Sequence, residues 1–196
     1  MCGAVACAAA AGCGDGKAPD RPAASRETAD PPARLPRGWQ RIVDRRAGFT
    51  LGLPRAWTAQ VGPPATRVRA PGGGVALSVS ADRSADGRTD SPQEYVRQAV
   101  ANLTGYSGLH VGPLGRLKGY AYPAAGTTAA GVFVQTGVRQ QIQLYALHRR
   151  GLVTYVILVF RNATLPASRY AAALDRIVHS LRSRPPEPPQ RSGRSG

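Results

Sequence analysis

The sequence predicts an α+β domain with a largely antiparallel sheet and two packed helices. Two observations lead to this fold class. Short segments in which apolar and polar residues alternate fill most of the region 38–183, as expected of half-buried strands joined by tight turns. The apolar residues take helical spacing at only two places, one in mid-chain and one at the C-terminal end of this region. This order of elements is typical of an α+β sandwich.

The first half of the domain is predicted to contain four strands. Their predicted bounds are 39–44, 49–54, 66–70 and 75–81. In the last of them, VALSVSA, every second residue is apolar, so one face of the strand is expected to lie against a core. A turn that contains Arg45 and Arg46 is predicted to join the first two strands.

A capping box marks the start of the first helix. Ser91 occupies the N-cap position, a proline follows at the first helical position, and Glu94 reaches back to the cap. The helix is predicted to end near Thr104, because Gly105 follows it as a stop signal. The polar segment that precedes the helix, 82–90, is predicted to form a loop.

The second half of the domain is predicted to contain four further strands and a closing helix. The strands are predicted at 109–119, 128–137, 140–148 and 152–160, and the helix at 166–182. The last strand, LVTYVILVF, is apolar on both faces, which predicts a central position in the sheet with cover on both sides. Its length is far below the ~20 residues that a transmembrane helix needs.

Two segments outside this region are predicted not to fold. Residues 14–37 and 184–196 are rich in proline, alanine, serine or glycine and show no periodicity. This composition predicts a disordered tether before the domain and a disordered tail after it. The chain of 196 residues is therefore expected to hold one folded domain, 38–183.

All three cysteines lie within the first 13 residues, MCGAVACAAAAGC. The end of this stretch, AAGC, resembles the lipobox of bacterial lipoproteins, in which small residues precede a cysteine that becomes the lipidated N-terminus. The resemblance implies that residues 1–13 are the remnant of a signal peptide and that Cys13 carries the lipid, with Cys7 as the alternative. The basic start of such a signal is missing, as expected if translation begins upstream. A disordered alanine-rich tail with three incidental cysteines is the competing interpretation.

The opening of the domain, GWQRIVDRRAGFTLGLPRAWT, resembles that of small actinobacterial extracytoplasmic domains of the PsbP-like superfamily. The matching positions are Trp39, Gly48, Phe49, Leu51, Pro54 and Trp57. The order of the elements over the rest of 38–183 is similar in outline. The resemblance implies an α/β/α sandwich around an antiparallel sheet, in a lipoprotein or another extracytoplasmic protein that is not an enzyme.

Signals of catalysis are sparse. The segment GYSGLH, 105–110, lacks the spacing of a nucleophile elbow, and GPLGRLKG lacks the lysine and hydroxyl pair of a phosphate loop. A hydrolase that uses Ser107 and His110 is a remote alternative. No metal-ligand spacing and no cofactor motif is found in the sequence, so neither a metal nor a cofactor is predicted. His148 is predicted to be solvated at the tip of a hairpin.

Charge is the strongest functional signal. The chain has 26 basic and 11 acidic residues, and a net charge of +15. One turn with Arg45 and Arg46 and another with Arg149 and Arg150 are predicted to expose guanidinium groups, which makes these four the candidate anion-binding residues. Such groups attract anionic lipid headgroups or an acidic envelope polymer. A solvated surface in an arginine-rich protein explains the same charge without a partner.

These features predict a non-catalytic binding domain that a lipid anchor holds at the extracytoplasmic face of a bacterial membrane. The alternative is a soluble or secreted domain that binds a polyanion. Nucleic acid is disfavoured as a partner, because the sequence contains no recognition helix and no base-stacking motif. No motif identifies a protein partner.

Overall fold

The computed structural model describes residues 28–187, and its strands form two antiparallel sheets. The strands are β1 (Trp39–Asp44), β2 (Phe49–Pro54), β3 (Thr58–Gln60), β4 (Thr66–Arg69), β5 (Val75–Asp82), β6 (Tyr106–Val111), β7 (Gly115–Leu117), β8 (Ala124–Phe133), β9 (Val138–Arg149), β10 (Val153–Asn162) and β11 (Arg182–Ser183). The helices are α1 (Ala85–Thr89), α2 (Pro92–Ala101) and α3 (Ser168–His179). The predicted α+β class is confirmed.

The larger sheet has eight strands, in the order β3-β4-β5-β10-β9-β8-β6, and β7 also pairs with β8. Strand β10 lies at its centre, as the apolar character of both its faces predicts. On one face it buries Tyr155, Ile157 and Val159. On the other, Val156 and Leu158 pack with the second core cluster. The central strand is therefore covered from both sides.

The smaller sheet has the order β1-β2-β11 and forms a second layer together with α3. Its middle strand buries Phe49, Leu51 and Leu53 completely, in the alternation that the sequence predicts. Leu174 and Ile177 of α3 belong to the same core cluster as these side chains and the central strand. On the opposite face of the large sheet, α2 forms the third layer. The predicted sandwich is thus formed by α3 with the small sheet, the large sheet, and α2.

The capping signals place the start of α2 correctly. The hydroxyl group of Ser91 accepts a hydrogen bond from the Glu94 amide at 3.3 Å. The helix ends at Ala101, before the predicted end near Thr104. After the C-cap residue Asn102, the Leu103 amide donates to the Val100 carbonyl three residues back, and the α-helical pattern stops. The helix therefore ends a few residues before Gly105, the predicted stop signal.

The segment before α2 and the strand predicted after it also differ from the structure. The segment 82–90 was expected to be a loop but contains α1, because the Ser84 hydroxyl caps it by accepting from the Gly87 amide at 2.9 Å. The predicted strand 109–119 is divided into β6 and β7. Between them the Gly112 amide bonds to the Thr128 carbonyl, and the proline that follows has no amide proton to continue the ladder.

The folded unit extends beyond the predicted limits of 38 and 183. The Asp30 amide donates to the Ser183 carbonyl at 3.0 Å, and the Arg184 amide donates to the Gly48 carbonyl at 2.9 Å. Residues 28–37, assigned to the tether, therefore contact the domain. The predicted signal remnant, with Cys7 and Cys13, lies outside the described residues, as do 188–196. Within 28–187, no helix is long and apolar enough to cross a membrane.

Candidate functional site

The two turns with the predicted arginine pairs lie at the same end of the molecule. Tyr155 stands near the start of β10, just after the turn that contains Arg149 and Arg150. Its hydroxyl group donates a hydrogen bond of 2.8 Å to the carbonyl of Gly48, which ends the turn that contains Arg45 and Arg46. The fold thus brings together two pairs that are far apart in the sequence.

A fifth arginine, Arg88 of α1, lies at this end as well. The adjacent Gly87 carbonyl accepts a hydrogen bond of 2.6 Å from Thr154, the second residue of β10. We call this region the arginine end and define it by its exposed guanidinium groups, Arg45, Arg46, Arg88 and Arg150.

The turn between β1 and β2 is held by Asp44. This buried carboxylate accepts hydrogen bonds from the Ala47 amide at 2.8 Å and from the Thr66 hydroxyl at 2.6 Å. Aspartate commonly stabilises a turn by accepting from a backbone amide a few residues further on. Asp44 thus faces the interior and forms no ion pair with Arg45 or Arg46, whose side chains are exposed.

The four predicted anion-binding residues have different surroundings. The Arg45 side chain is 67% exposed and lies 3.2 Å from the carboxylate of Glu187, itself exposed. Arg46 and Arg150 are exposed and form no ion pair with a residue between 28 and 187. The Arg149 side chain, by contrast, is only 17% exposed and lies 3.2 Å from Asp30. Arg149 therefore attaches the N-terminal segment, whereas the other three face solvent.

Sequence reasoning missed Arg83. Its Nη2 atom donates to the carbonyl groups of Ala47, Gly48 and Arg184, each at 3.3 Å. These carbonyls belong to the β1–β2 turn and to the C-terminal segment, so Arg83 joins both to the end of β5. No local motif predicts this role, because its partners are backbone atoms brought together only by the fold.

Both ends of the described chain lie at the arginine end. At the N-terminal side, the carbonyl of Thr28 accepts a hydrogen bond of 3.0 Å from Arg149. At the C-terminal side, the Glu187 amide donates to the Arg45 carbonyl at 2.9 Å. The chain that precedes residue 28 and the chain that follows residue 187 therefore both join the domain beside these arginines.

His148 is buried, and the prediction of a solvated histidine is wrong. Only 8% of the residue is exposed, and its Nδ1 atom lies 2.9 Å from the Thr154 hydroxyl. That hydroxyl donates its hydrogen bond to the Gly87 carbonyl, so it accepts one from the Nδ1–H group of His148. Burial lowers the pKa of His148, and the nearby Arg150 lowers it further. The hairpin tip is one residue beyond the position that the sequence suggests.

Asp82 and Tyr95 join the end of β5 to α2. The Tyr95 hydroxyl donates to the Asp82 carboxylate at 2.5 Å. Burial opposes ionisation of Asp82, but hydrogen bonds from Tyr95 and Ser84 outweigh it, and the pKa of Asp82 is lowered. The pKa of Tyr95 is raised by burial and by this bond. The carboxylate is therefore used inside the fold and is not available to a ligand.

The geometry does not support the hydrolase alternative. Ser107 and His110 are both exposed on β6, on either side of an irregularity in its pairing with β8. Between residues 28 and 187, no hydrogen bond joins these side chains to each other or to an aspartate. The same part of the chain contains no group of three side chains suited to hold a metal ion.

An open groove follows β8 and β9 beyond the cover of α3. It consists of two adjoining cavities of about 330 and 230 Å³, which share Thr128 and Gln143. The larger cavity is lined mainly by apolar groups and the smaller one by a mixture of polar and apolar groups, with Tyr145 at one end of the groove and His110 at the other. Burial, with smaller contributions from Tyr120 and an aspartate, raises the pKa of Tyr145 to about 12. Among residues 28–187, no arginine, lysine or acidic residue lines the groove, which distinguishes it from the arginine end.

No protein-family profile and no curated protein sequence matches this chain. Among solved structures, it is similar to the cyanobacterial PsbP protein CyanoP from Synechocystis, with a TM-score of 0.52 and 12% identity over 74% of this chain and 92% of that one. It is also similar to the Ran-binding protein Mog1p of Saccharomyces cerevisiae, with a TM-score of 0.51 and 12% identity over 68% and 89% of the two chains.

A third similar structure comes from Bacteroides thetaiotaomicron, with a TM-score of 0.52 and 14% identity over 74% of this chain. This chain spans about half of that protein, 48% of its length. At these identities the likeness concerns the fold, and it confirms the predicted PsbP-like sandwich. The lipid anchor and the actinobacterial origin remain predictions.

Proposed function

We propose that this protein is a non-catalytic binding domain tethered to the extracytoplasmic face of a bacterial membrane, with its arginine end toward the anionic surface. The observation that carries the proposal is the position of Thr28. The first described residue lies against Arg149, so a tether that leads back to Cys13 or Cys7 starts beside the exposed arginines. A lipid anchor and a basic surface would then act on the same side of the domain.

Both interactions are needed for firm attachment. A single acyl chain gives only marginal binding to a membrane, and a basic patch supplies the second contribution. Each arginine near an anionic surface contributes about 1 kcal/mol, and the attraction falls off within a Debye length. Arg46 and Arg150 are exposed and form no ion pair with the residues described, which favours them as the main contacts.

The proposed binding role is also consistent with the similarity in fold to Mog1p, which is described as a Ran-binding protein. The alternative proposal is a secreted domain that binds an acidic polymer through the same arginines. The two proposals differ in whether the protein carries a lipid anchor.

Cells that express the gene with its upstream sequence can be labelled with a fatty acid, in the parent and in the Cys13→Ser and Cys7→Ser variants. Label lost in only one of the two variants supports the anchor and identifies Cys13 or Cys7 as its site, whereas no label in the parent supports secretion.

Vesicle binding tests the basic surface separately. The full chain with all three cysteines changed to serine is sedimented with vesicles of phosphatidylcholine that contain phosphatidylglycerol, and with phosphatidylcholine alone. The variant R45Q/R46Q/R150Q is expected to bind the anionic vesicles at least about ten-fold more weakly, since three contributions of about 1 kcal/mol are removed.

A matched control removes the same charge elsewhere. Arg69, Arg139 and Arg169 are exposed and lie toward the opposite end of the large sheet. The variant R69Q/R139Q/R169Q is expected to bind nearly as the parent does. Equal loss in both triple variants would show that only net charge matters and would contradict an oriented arginine end.

A further inference from the structure

A second basic surface lies between the N-terminal segment and the end of α3. A cavity of about 310 Å³ separates residues 33–36 from the last turn of this helix. We call it the basic pocket and define it by Arg34, Arg176, His179 and Arg182, with Trp39 as an aromatic wall. Its volume is at the lower end of the range of small-molecule sites, about 300–1,000 Å³.

The charge of the basic pocket is not balanced by its own lining. Among residues 28–187, three arginines line it and no acidic residue does. Arg34 and Arg176 form no ion pair with any residue from 28 to 187. An acidic side chain outside the lining, Asp175, lies 3.3 Å from the Nδ1 atom of His179 and is mostly exposed. Like charges that share a cavity repel one another, and a bound anion relieves that repulsion.

Two members of the pocket are held in place by the fold. The Nη1 atom of Arg182 donates to the carbonyls of His179 and Leu181, each at 2.8 Å, and these bonds fix the guanidinium at the end of α3. A guanidinium has five N–H donors, so others remain for a ligand. The ring of Tyr120 stacks on that of His179, with centroids 4.1 Å apart. Arg182 and His179 are therefore in place before a ligand arrives.

The wall contributed by the N-terminal segment is also attached to the domain. Arg41 donates to the carbonyl of Ala33 at 2.9 Å. A side chain on Gly52 would collide with Leu35, which shows how closely the segment approaches β2. The Ser180 hydroxyl, which also lines the pocket, accepts from the Gly52 amide at 2.8 Å. Both walls of the basic pocket are thus attached to β2 at Gly52.

We infer that the basic pocket binds a phosphate ester, with its phosphate group among the three arginines and its organic group against Trp39. Guanidinium groups bind phosphate oxygens in pairs, and clusters of arginine are typical of sites that recognise phosphate. A tetrahedral phosphate offers several oxygens to donors that converge from different sides, whereas a carboxylate offers two in one plane. This inference is independent of the arginine end and of the lipid anchor.

Titration of the full chain with glycerol phosphate, followed by calorimetry and by tryptophan fluorescence, tests the pocket. We expect saturable binding of glycerol phosphate and a change in fluorescence that is retained in Trp57→Phe and lost in Trp39→Phe. The variant R34Q/R176Q, which changes two exposed side chains, is expected to bind at least ten-fold more weakly. The matched variant R69Q/R169Q is expected to bind as the parent does.

Further arms distinguish a soluble ester from a lipid headgroup. Inorganic phosphate and vesicles that contain phosphatidylglycerol are titrated in parallel. In one outcome only the vesicles bind, and R34Q/R176Q weakens this binding whereas R69Q/R169Q does not. That result supports the pocket and identifies a headgroup as its ligand. The inference is overturned if glycerol phosphate and inorganic phosphate give no saturable binding and R34Q/R176Q leaves vesicle binding unchanged. Binding of either soluble probe that R34Q/R176Q leaves unchanged overturns it as well. Neither outcome bears on the arginine end, which R45Q/R46Q/R150Q tests separately.

Discussion

The guanidinium group of Arg149 and the carboxylate of Asp30 lie 3.2 Å apart, with side chains only 17% and 21% exposed. This pair connects the turn between β9 and β10 to the first described segment of the chain. Asp30 also accepts hydrogen bonds from the Tyr122 hydroxyl and from the Ser183 amide. The pair therefore fixes where the N-terminal segment leaves the domain, and the proposed orientation at a membrane depends on it.

Replacement of Asp30 tests this attachment. In Asp30→Ala, the Tyr122 hydroxyl loses its acceptor and Arg149 loses its counter-ion, whereas the Ser183 amide keeps the Tyr122 hydroxyl as a partner at 2.6 Å. The free energy of unfolding is expected to fall by about 1–3 kcal/mol. Chemical denaturation measures the loss. Limited proteolysis is expected to cut the variant faster after Arg34 and Arg37. Asp86→Ala, which removes an exposed carboxylate of α1, is the control and is expected to change neither result.

Replacement of Gly48 tests how tightly the arginine end is packed. Its φ is +72°, and a Cβ atom there would lie 2.6 Å from the Arg184 carbonyl and 2.3 Å from Arg83. In Gly48→Ala, the free energy of unfolding is expected to fall by about 1–2 kcal/mol because of the left-handed backbone. The collision is expected to lower it by about 1–3 kcal/mol more.

Gly72 provides the matched control for this experiment. Its φ is +77°, but a Cβ atom would meet nothing within 4 Å. Gly72→Ala is therefore expected to show the backbone contribution alone. Equal losses of unfolding free energy in the two variants would contradict the close approach of Arg83 and Arg184 to the turn.

The pH dependence of stability tests the environment of His148. Burial lowers its pKa in the folded state below the value of the unfolded chain, about 6.5. The unfolded chain therefore binds more protons below that pH. The contribution of His148 to the free energy of unfolding is therefore fully present above about pH 6.5. It is lost as the pH falls, by at most about 1.4 kcal/mol per pH unit.

His148→Asn is expected to remove this dependence between pH 7.5 and 5, because an amide can donate to Thr154 but does not titrate. Urea denaturation over the pH series measures it. His110→Asn is the control, because His110 is exposed on β6, and it is expected to keep the slope of the parent. A slope in His148→Asn equal to that of the parent would contradict a buried neutral imidazole.

Much of the fold could be predicted because its signals are local. The alternation in β5 and the apolar faces of β10 are visible in the sequence, and the capping box at Ser91 places α2. Strand β8 was predicted at 128–137 but occupies Ala124–Phe133. Its first residues are alanine, glycine and threonine, which give little contrast between a buried and an exposed face.

The candidate sites could be predicted only in part, because their residues come from distant segments. The turns with Arg46 and Arg150 were recognised, but no local pattern shows that Arg149 pairs with Asp30. The basic pocket escaped prediction for the same reason. Arg34 belongs to the predicted tether and Arg176 to the closing helix, and only the packing of the N-terminal segment brings them to one cavity.

The orientation of the domain at an anionic surface tests the central proposal most directly. Ala85 lies exposed at the arginine end, and Gln135 lies exposed in the β8–β9 turn at the opposite end of the large sheet. In the full chain with its three cysteines changed to serine, Ala85→Cys or Gln135→Cys accepts a single fluorophore. Vesicles that contain phosphatidylglycerol and a quencher on the headgroup are then added. We predict strong quenching of the label at Ala85 and little at Gln135, whereas equal or reversed quenching would contradict the account.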